Sequence, residues 1–232
     1  GLAVEELKIS PGERVGIIGP VGSGKSTLLK VMAGLFPPQS GVVYLSDLDL
    51  NQIAEDQLRR HVGYVGQEFR LVNGSLREQL TFGISDPGDD AILAAAEATG
   101  LNKLISAHPK GLELPISEGG RGVSGGQRAL VGLTRLMLAK PKILLLDEPT
   151  AALDQETEEQ ALRAIVGNLD TNDALVMVTH KISLLNMVQR LIVVVNGKII
   201  FDGPTAAVLQ KLSPGSANAT APVAANIQKV TI

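Results

Sequence analysis

The chain has 232 residues with 44% hydrophobic side chains, enough to bury the core of one large domain or of a core plus a subdomain, which excludes collagen-like and disordered readings. Twenty-one Lys and Arg against 24 Asp and Glu leave a net charge of −3, so no basic field exists to gather nucleic acid phosphates. The absence of cysteine removes disulfides and thiolate metal sites, and no apolar run approaches the roughly 20 residues of a bilayer crossing.

Taken in order, Leu2 to Ile9 alternates weakly and closes at the turn signal Ser10-Pro11-Gly12-Glu13. Arg14 to Ile18 then reads as a strand that runs directly into Gly19-Pro20-Val21-Gly22-Ser23-Gly24-Lys25-Ser26-Thr27, followed by the helical Leu28 to Met32. This stretch fits G-x-x-x-x-G-K-[ST], a phosphate-binding loop. Its glycines let the backbone aim successive N–H groups inward while the helix start adds partial positive charge. The loop from Gly22, Ser23 and Gly24 through Lys25, Ser26 and Thr27 is therefore expected to hold a nucleoside triphosphate. Lys25 would reach the β- and γ-phosphates, and Ser26 would ligate Mg²⁺.

Further on, Val42 to Leu45 is a short strand, Asp56 to Arg60 a helical turn, and His61 to Val65 a strand ending at Gly66-Gln67-Glu68. From Leu76 to Leu138 the character changes to helical, with Ala91 to Thr99 and Gln127 to Ala139 as helices, which suggests an inserted helical subdomain at about 70–140. The run Lys142 to Glu148 is continuously apolar until two closing carboxylates, as in a strand buried on both faces of a parallel sheet. A helix over Gln155 to Leu169, a strand over Ala174 to Val178 ending at Thr179-His180, and a helix near Ile182 to Val188 follow. Two strands meet at the hairpin signal Asn196-Gly197, and a last helix spans Thr205 to Leu212. Residues 213–232 are Ala-, Asn-, Ser- and Thr-rich and read as a flexible tail, in which Asn218-Ala219-Thr220 is read as a chance match to a glycosylation acceptor.

Phosphoryl transfer needs a cation and a group to orient or deprotonate the attacking water. Asp147, at a strand end beside the phosphate loop, is the candidate metal ligand, and Glu148 the candidate general base. Val123-Ser124-Gly125-Gly126-Gln127 offers a second anion-binding helix start. One chain holds one γ-phosphate, so this second device suits a nucleotide held by another subunit.

The succession of phosphate loop, Gly66-Gln67, Val123 to Gln127, Leu144 to Glu148, Ala152-Leu153-Asp154 and Thr179-His180 resembles the nucleotide-binding domain of ATP-binding cassette transporters, over roughly residues 2–212. The resemblance implies an α/β fold: a P-loop NTPase core with a mostly parallel sheet, an N-terminal antiparallel β-subdomain and the inserted α-helical subdomain. Residues 1–212 would be that domain. It implies ATP and Mg²⁺ as ligands, with Ser26, Gln67 and Asp147 at the metal. Lys25, Gln67, Glu148 and His180 would be catalytic, His180 by holding the γ-phosphate and attacking water. Ser124, Gly126, Gln127 and Asp154 would face the ATP of a second copy of the chain.

Ser117 to Gly122 is similar to a loop of exporters, and together with His108 to Leu112 it looks most like ATPases of bacterial type I secretion systems. That likeness implies a transmembrane domain fused upstream, a place at the cytoplasmic face of the bacterial inner membrane, and no nucleic acid partner. The chain departs from the family in that nothing before Gly12 is aromatic, where adenine is usually stacked, that Val123 replaces the commoner Leu, and that Lys181 follows His180 where Arg is frequent in exporters. His61 and His108 are read as structural.

Overall fold

A computed structural model describes residues 2–67, 69–212 and 229–232. In chain order these form β1 (Glu6–Lys8), β2 (Arg14–Ile18), α1 (Lys25–Met32), β3 (Val42–Leu45), β4 (Leu48–Asp49), α2 (Glu55–His61), β5 (Val62–Val65) and β6 (Gly74–Ser75). Next come α3 (Leu76–Thr81), α4 (Asp89–Thr99), α5 (Asn102–Ala107), β7 (Pro115–Ile116), α6 (Gly125–Ala139), β8 (Ile143–Asp147), α7 (Gln155–Gly167) and β9 (Ala174–Val178). The chain then continues through β10 (Arg190–Val195), β11 (Lys198–Pro204), α8 (Thr205–Leu212) and β12 (Lys229–Thr231). It divides into two compact units, Gly1–Tyr64 with Pro141–Glu148 and Asp170–Ile232, and Val65–Lys140 with Pro149–Leu169.

The first unit is built on a six-stranded sheet in the order β11-β10-β2-β9-β8-β5, in which β10, β2, β9 and β8 run parallel. Every residue of β8 and β9 is buried, which is why both read as unbroken apolar runs rather than alternating ones. Helix α1 lays Leu28, Leu29 and Met32 into the same core as Val15, Ile17, Leu145, Val176 and Val178. Burying each such side chain contributes roughly 1.5–3 kcal/mol. The register pairs Ile17 with Val178 and Asp147 with Val178, so the carboxyl ends of β2, β8 and β9 finish level. That edge of a parallel sheet is where ligands bind. The antiparallel hairpin of β10 and β11 turns at Asn196 and Gly197, both at positive φ as a type I′ turn requires.

Two expectations are corrected here. The small sheet runs β1-β12-β3-β4, with β12 parallel to both β1 and β3 and only β3 and β4 antiparallel, so the N-terminal β-subdomain is of mixed pairing. The segment read as a tail over 213–232 ends in its central strand. The reason is the spacing of two apolar residues: Val230 and Ile232, two apart, both enter the core formed by Val4, Leu7, Ile9 and Val43. Residues 213–228, including Asn218-Ala219-Thr220, lie outside the described residues. A smaller difference is that the helix expected near Ile182 to Val188 is a 3-10 segment, Ile182–Met187.

The second unit contains α3 to α7 and the short pair β6 and β7, and so takes in α7 besides the stretch at about 70–140. Apolar faces of α4 and α6 meet around a buried hydroxyl pair, Thr99 Oγ1 and Thr134 Oγ1, 2.6 Å apart. One hydroxyl donates to the other, which in turn donates to a carbonyl of its own helix, so no polar group is stranded there.

Candidate functional site

In the first unit the phosphate loop joins β2 to α1. Gly24 caps the helix at φ 103°, a left-handed conformation that a side chain would strain, and Leu28 N–H returns to Gly24 O at 2.9 Å. The loop is braced from outside, because Gly197 N–H of the hairpin turn donates to Ser23 O at 2.9 Å. Lys25 Nζ donates to the carbonyls of Gly19 and Pro20 at 2.9 and 2.8 Å, which holds the ammonium over its own loop. Burial lowers the Lys25 pKa, against the opposing pull of Glu148 and Asp147.

Asp147 closes β8 and is 2% exposed. Ser26 Oγ donates to its Oδ1 at 3.0 Å and the Tyr64 hydroxyl donates to its Oδ2 at 3.3 Å. Burial pushes the Asp147 carboxyl above the usual range, and these two hydrogen bonds oppose the shift. Tyr64 is likewise raised well above an ordinary phenol, by burial first and then by Asp147.

The next residue turns sharply. Glu148 sits at φ 48°, in the left-handed region, where a residue with a side chain costs about 1–2 kcal/mol. Its N–H donates to Val178 O at 3.1 Å. Glu148 Oε1 lies 2.7 Å from His180 Nε2, with the two side chains 20% and 44% exposed. The unit thus brings together Lys25, Ser26 and Asp147, and pairs Glu148 with His180.

The second unit carries the other candidates. Ser124 caps α6 in a reciprocal box: Gln127 N–H donates to Ser124 Oγ at 3.1 Å and Ser124 N–H donates to Gln127 Oε1 at 2.8 Å. The Ser124 hydroxyl oxygen accepts in this arrangement, so its hydrogen can be turned toward an external acceptor. The first N–H groups of the helix have no intrahelical acceptor. Gly126 is required sterically, since a Cβ there would lie 2.9 Å from Ala152 O and 3.2 Å from Leu153 Cδ2. The Ser124 loop and the Ala152-Leu153-Asp154 turn are therefore packed against each other.

Asp154 caps α7, its Oδ1 accepting from Thr157 N–H at 3.0 Å and its Oδ2 from Thr157 Oγ1 at 2.9 Å. These bonds hold its carboxyl below the ordinary range. The helix-cap role is thus realised in full. Gln67 is exposed and belongs to this unit as well. Tyr64 and the buried pair Thr150 and Glu158, whose hydroxyl and carboxylate are hydrogen-bonded, were not singled out by sequence reasoning. For Tyr64 the available signal was a polar-tipped aromatic near the end of a strand that enters a buried sheet.

The residues present fit a polyphosphate and a hard cation. Ser23 Oγ is, among the described residues, a buried hydroxyl with no hydrogen-bond partner, in the loop whose N–H groups would surround a phosphate. Ser26 and Asp147 offer a hydroxyl and a carboxylate oxygen, the donor chemistry of Mg²⁺. Among the described residues no group of three His, Cys, Asp or Glu could hold a metal.

The model of the ABC transporter family matches residues 3–151, more than half of the chain. The glutathione/L-cysteine transport system ATP-binding/permease protein CydC of Haemophilus influenzae is 34% identical over 206 residues, covering 88% of this chain and 36% of that protein. The ATP-dependent lipid A-core flippase of Neisseria meningitidis is 37% identical over 197 residues, covering 85% of this chain and 32% of that protein. The solved structure of a bacterial Atm1-family ABC exporter with ATP bound superimposes with a TM-score of 0.80 at 26% identity, covering 87% of this chain and 35% of that one. The chain spans about a third of the length of these relatives. With the phosphate loop, the closing carboxylates and the Ser124 loop all in place, the chain belongs to the ABC transporter family, as its nucleotide-binding, ATPase domain.

Proposed function

We propose that two copies of the chain pair head to tail and hydrolyse ATP between them, driving an exporter whose transmembrane domain is fused upstream. The observation that carries the catalytic part is the Glu148–His180 pair: Glu148 is next in sequence to Asp147 at the end of β8, and the Asp147 carboxylate accepts from Ser26 at the start of α1. The N–H groups of Gly22 to Thr27 and the Lys25 ammonium bind the β- and γ-phosphates, and Lys25 exchanges its bonds to Gly19 and Pro20 for phosphate oxygens. Ser26 and Asp147 would hold Mg²⁺, which would supply charge neutralisation at the phosphates. For Gln67 the family resemblance implies a role at the metal and in coupling to the membrane domain.

Glu148 takes the proton of the attacking water, and His180, oriented by Glu148, keeps the water and the γ-phosphate in line. Ser124, with the Gly126 and Gln127 amides, contacts the γ-phosphate of the second copy's ATP, and Asp154 lies across the same contact. ATP closes the pair and hydrolysis releases it. With a transmembrane domain fused upstream, this reading has the domain work at the cytoplasmic face of the bacterial inner membrane. No helix among the described residues is long and apolar enough to cross a membrane.

The narrower reading, protein export by a type I secretion system, is supported by Ser117 to Gly122 and His108 to Leu112 alone. The matched relatives are named for glutathione and L-cysteine, lipid A-core and iron-sulfur clusters, which leaves the cargo open. Phosphate release by the purified chain tests the ATPase reading: ATP-dependent release that Glu148→Gln abolishes supports it, and release untouched by that change removes Glu148 as the base.

A further inference from the structure

The carboxylate that closes β8 is gripped on both oxygens. Ser26 Oγ holds Oδ1 at 3.0 Å, and Tyr64, from the neighbouring edge strand β5, holds Oδ2 at 3.3 Å. The two grips are not equivalent. In the proposed function Ser26 would also give a lone pair of its oxygen to the cation while its hydrogen still donates to Asp147, so that grip is shared with the ligand. Tyr64 has no such second task. The terminal torsion of an aspartate is broad and roughly two-fold, so a carboxylate without a fixed donor can turn its oxygens away from a ligand position. A phenol on a strand of the same sheet, half-buried and short of rotatable bonds, is a stiff donor.

We propose that Tyr64 is a positioning residue for the cation: its hydroxyl keeps Asp147 Oδ2 engaged, so that Oδ1 stays aimed at the place beside Ser26 where Mg²⁺ binds. Tyr64 then sets the Mg²⁺ requirement without touching nucleotide. This role rests on the functional reading above. A tyrosine placed only to satisfy its own hydroxyl would predict lost stability and no change in metal dependence.

The test is Tyr64→Phe, which keeps the ring and removes the donor. ATP binding is measured by calorimetry without metal and across a Mg²⁺ titration, and turnover across the same titration. The expected result is an unchanged metal-free ATP affinity and a Mg²⁺ requirement raised about tenfold, the scale of one lost hydrogen bond to a charged group, with a smaller change in kcat. A second readout needs no turnover. The chain has no tryptophan and two tyrosines, so in a Tyr44→Phe background Tyr64 is the sole emitter. Its fluorescence is expected to shift when Mg²⁺ is added to the ATP-bound protein.

A Mg²⁺ requirement unchanged by Tyr64→Phe, or a metal-free ATP affinity that falls equally, overturns the role while leaving the ATPase reading intact. A Tyr64 emission indifferent to Mg²⁺ does the same. A parent chain that binds no ATP under any condition overturns the functional reading, and the Tyr64 role with it.

Discussion

Gly125 and Gly126 open the same helix, yet the structure assigns them opposite tolerance to a methyl group. At Gly126 a Cβ would lie 2.9 Å from the Ala152 carbonyl oxygen and 3.2 Å from Leu153 Cδ2, and the first of these is backbone that cannot swing aside. At Gly125 the nearest atom is the Ala152 methyl at 3.4 Å, an ordinary contact. Alanine improves helix propensity at both positions by up to about 1 kcal/mol, less at a helix start. Forcing a methyl into a closed contact costs about 1–3 kcal/mol. Gly125→Ala is therefore expected to be neutral or slightly stabilising, and Gly126→Ala to lie roughly 1–3 kcal/mol below it. Urea unfolding of the two variants, with phosphate release measured alongside, reads the difference. Because the displaced backbone belongs to the turn that leads to Asp154, Gly126→Ala should also lose turnover where Gly125→Ala retains more. Equal unfolding midpoints would refute the packing of the Ser124 loop on the Ala152-Leu153 turn.

Three further outcomes follow from the same geometry. Glu148→Gln should keep ATP binding, lose about 10²–10⁴ in turnover and accumulate an ATP-bound dimer on a sizing column. Lys25→Ala should abolish ATP binding by calorimetry without unfolding the chain, since its partners Gly19 and Pro20 are loop carbonyls beside solvent-facing Val21. Asp147→Asn should raise the urea midpoint of the nucleotide-free protein near neutral pH while removing Mg²⁺-dependent turnover. The Asp147 pKa is higher folded than unfolded, so its ionised form costs stability, an effect absent below the unfolded pKa that grows as pH rises through the folded one. The gain from Asp147→Asn should accordingly vanish in acid, and a gain independent of pH would contradict the burial of that charge.

Much of the site was legible because its physics is local. The phosphate loop needs glycines between a strand and a helix, and β8 shows as Ile143 to Leu146 closed by Asp147 because both its faces are covered. Ser124 stands out for a similar reason, as a hydroxyl before two glycines at a helix start, whereas Asp154 reads locally as an ordinary helix cap and is singled out only by the order of the motifs. What escaped depends on neighbours distant in sequence. Tyr64 becomes meaningful only once β5 joins the sheet that contains β8, which brings its hydroxyl to Asp147. Likewise Val230 and Ile232 are two apolar residues after a polar, small-residue stretch, too short a pattern to announce a strand. Only the vacant ladder between β1 and β3 gives them a place. The left-handed conformation of Glu148 is also a tertiary effect, accompanied by its N–H bond to Val178.

The claim on which the mechanism stands is that each ATP is shared by the Lys25 loop of one copy and the Ser124 loop of another. Mixing two damaged chains measures it directly: Lys25→Ala, unable to hold phosphate, with Ser124→Glu, whose carboxylate repels the neighbour's γ-phosphate. Each alone should be inactive, and the mixture should recover phosphate release, because the mixed pair contains one site with both loops intact. A Ser124→Glu chain active by itself, or a mixture as dead as its parts, would contradict the shared site.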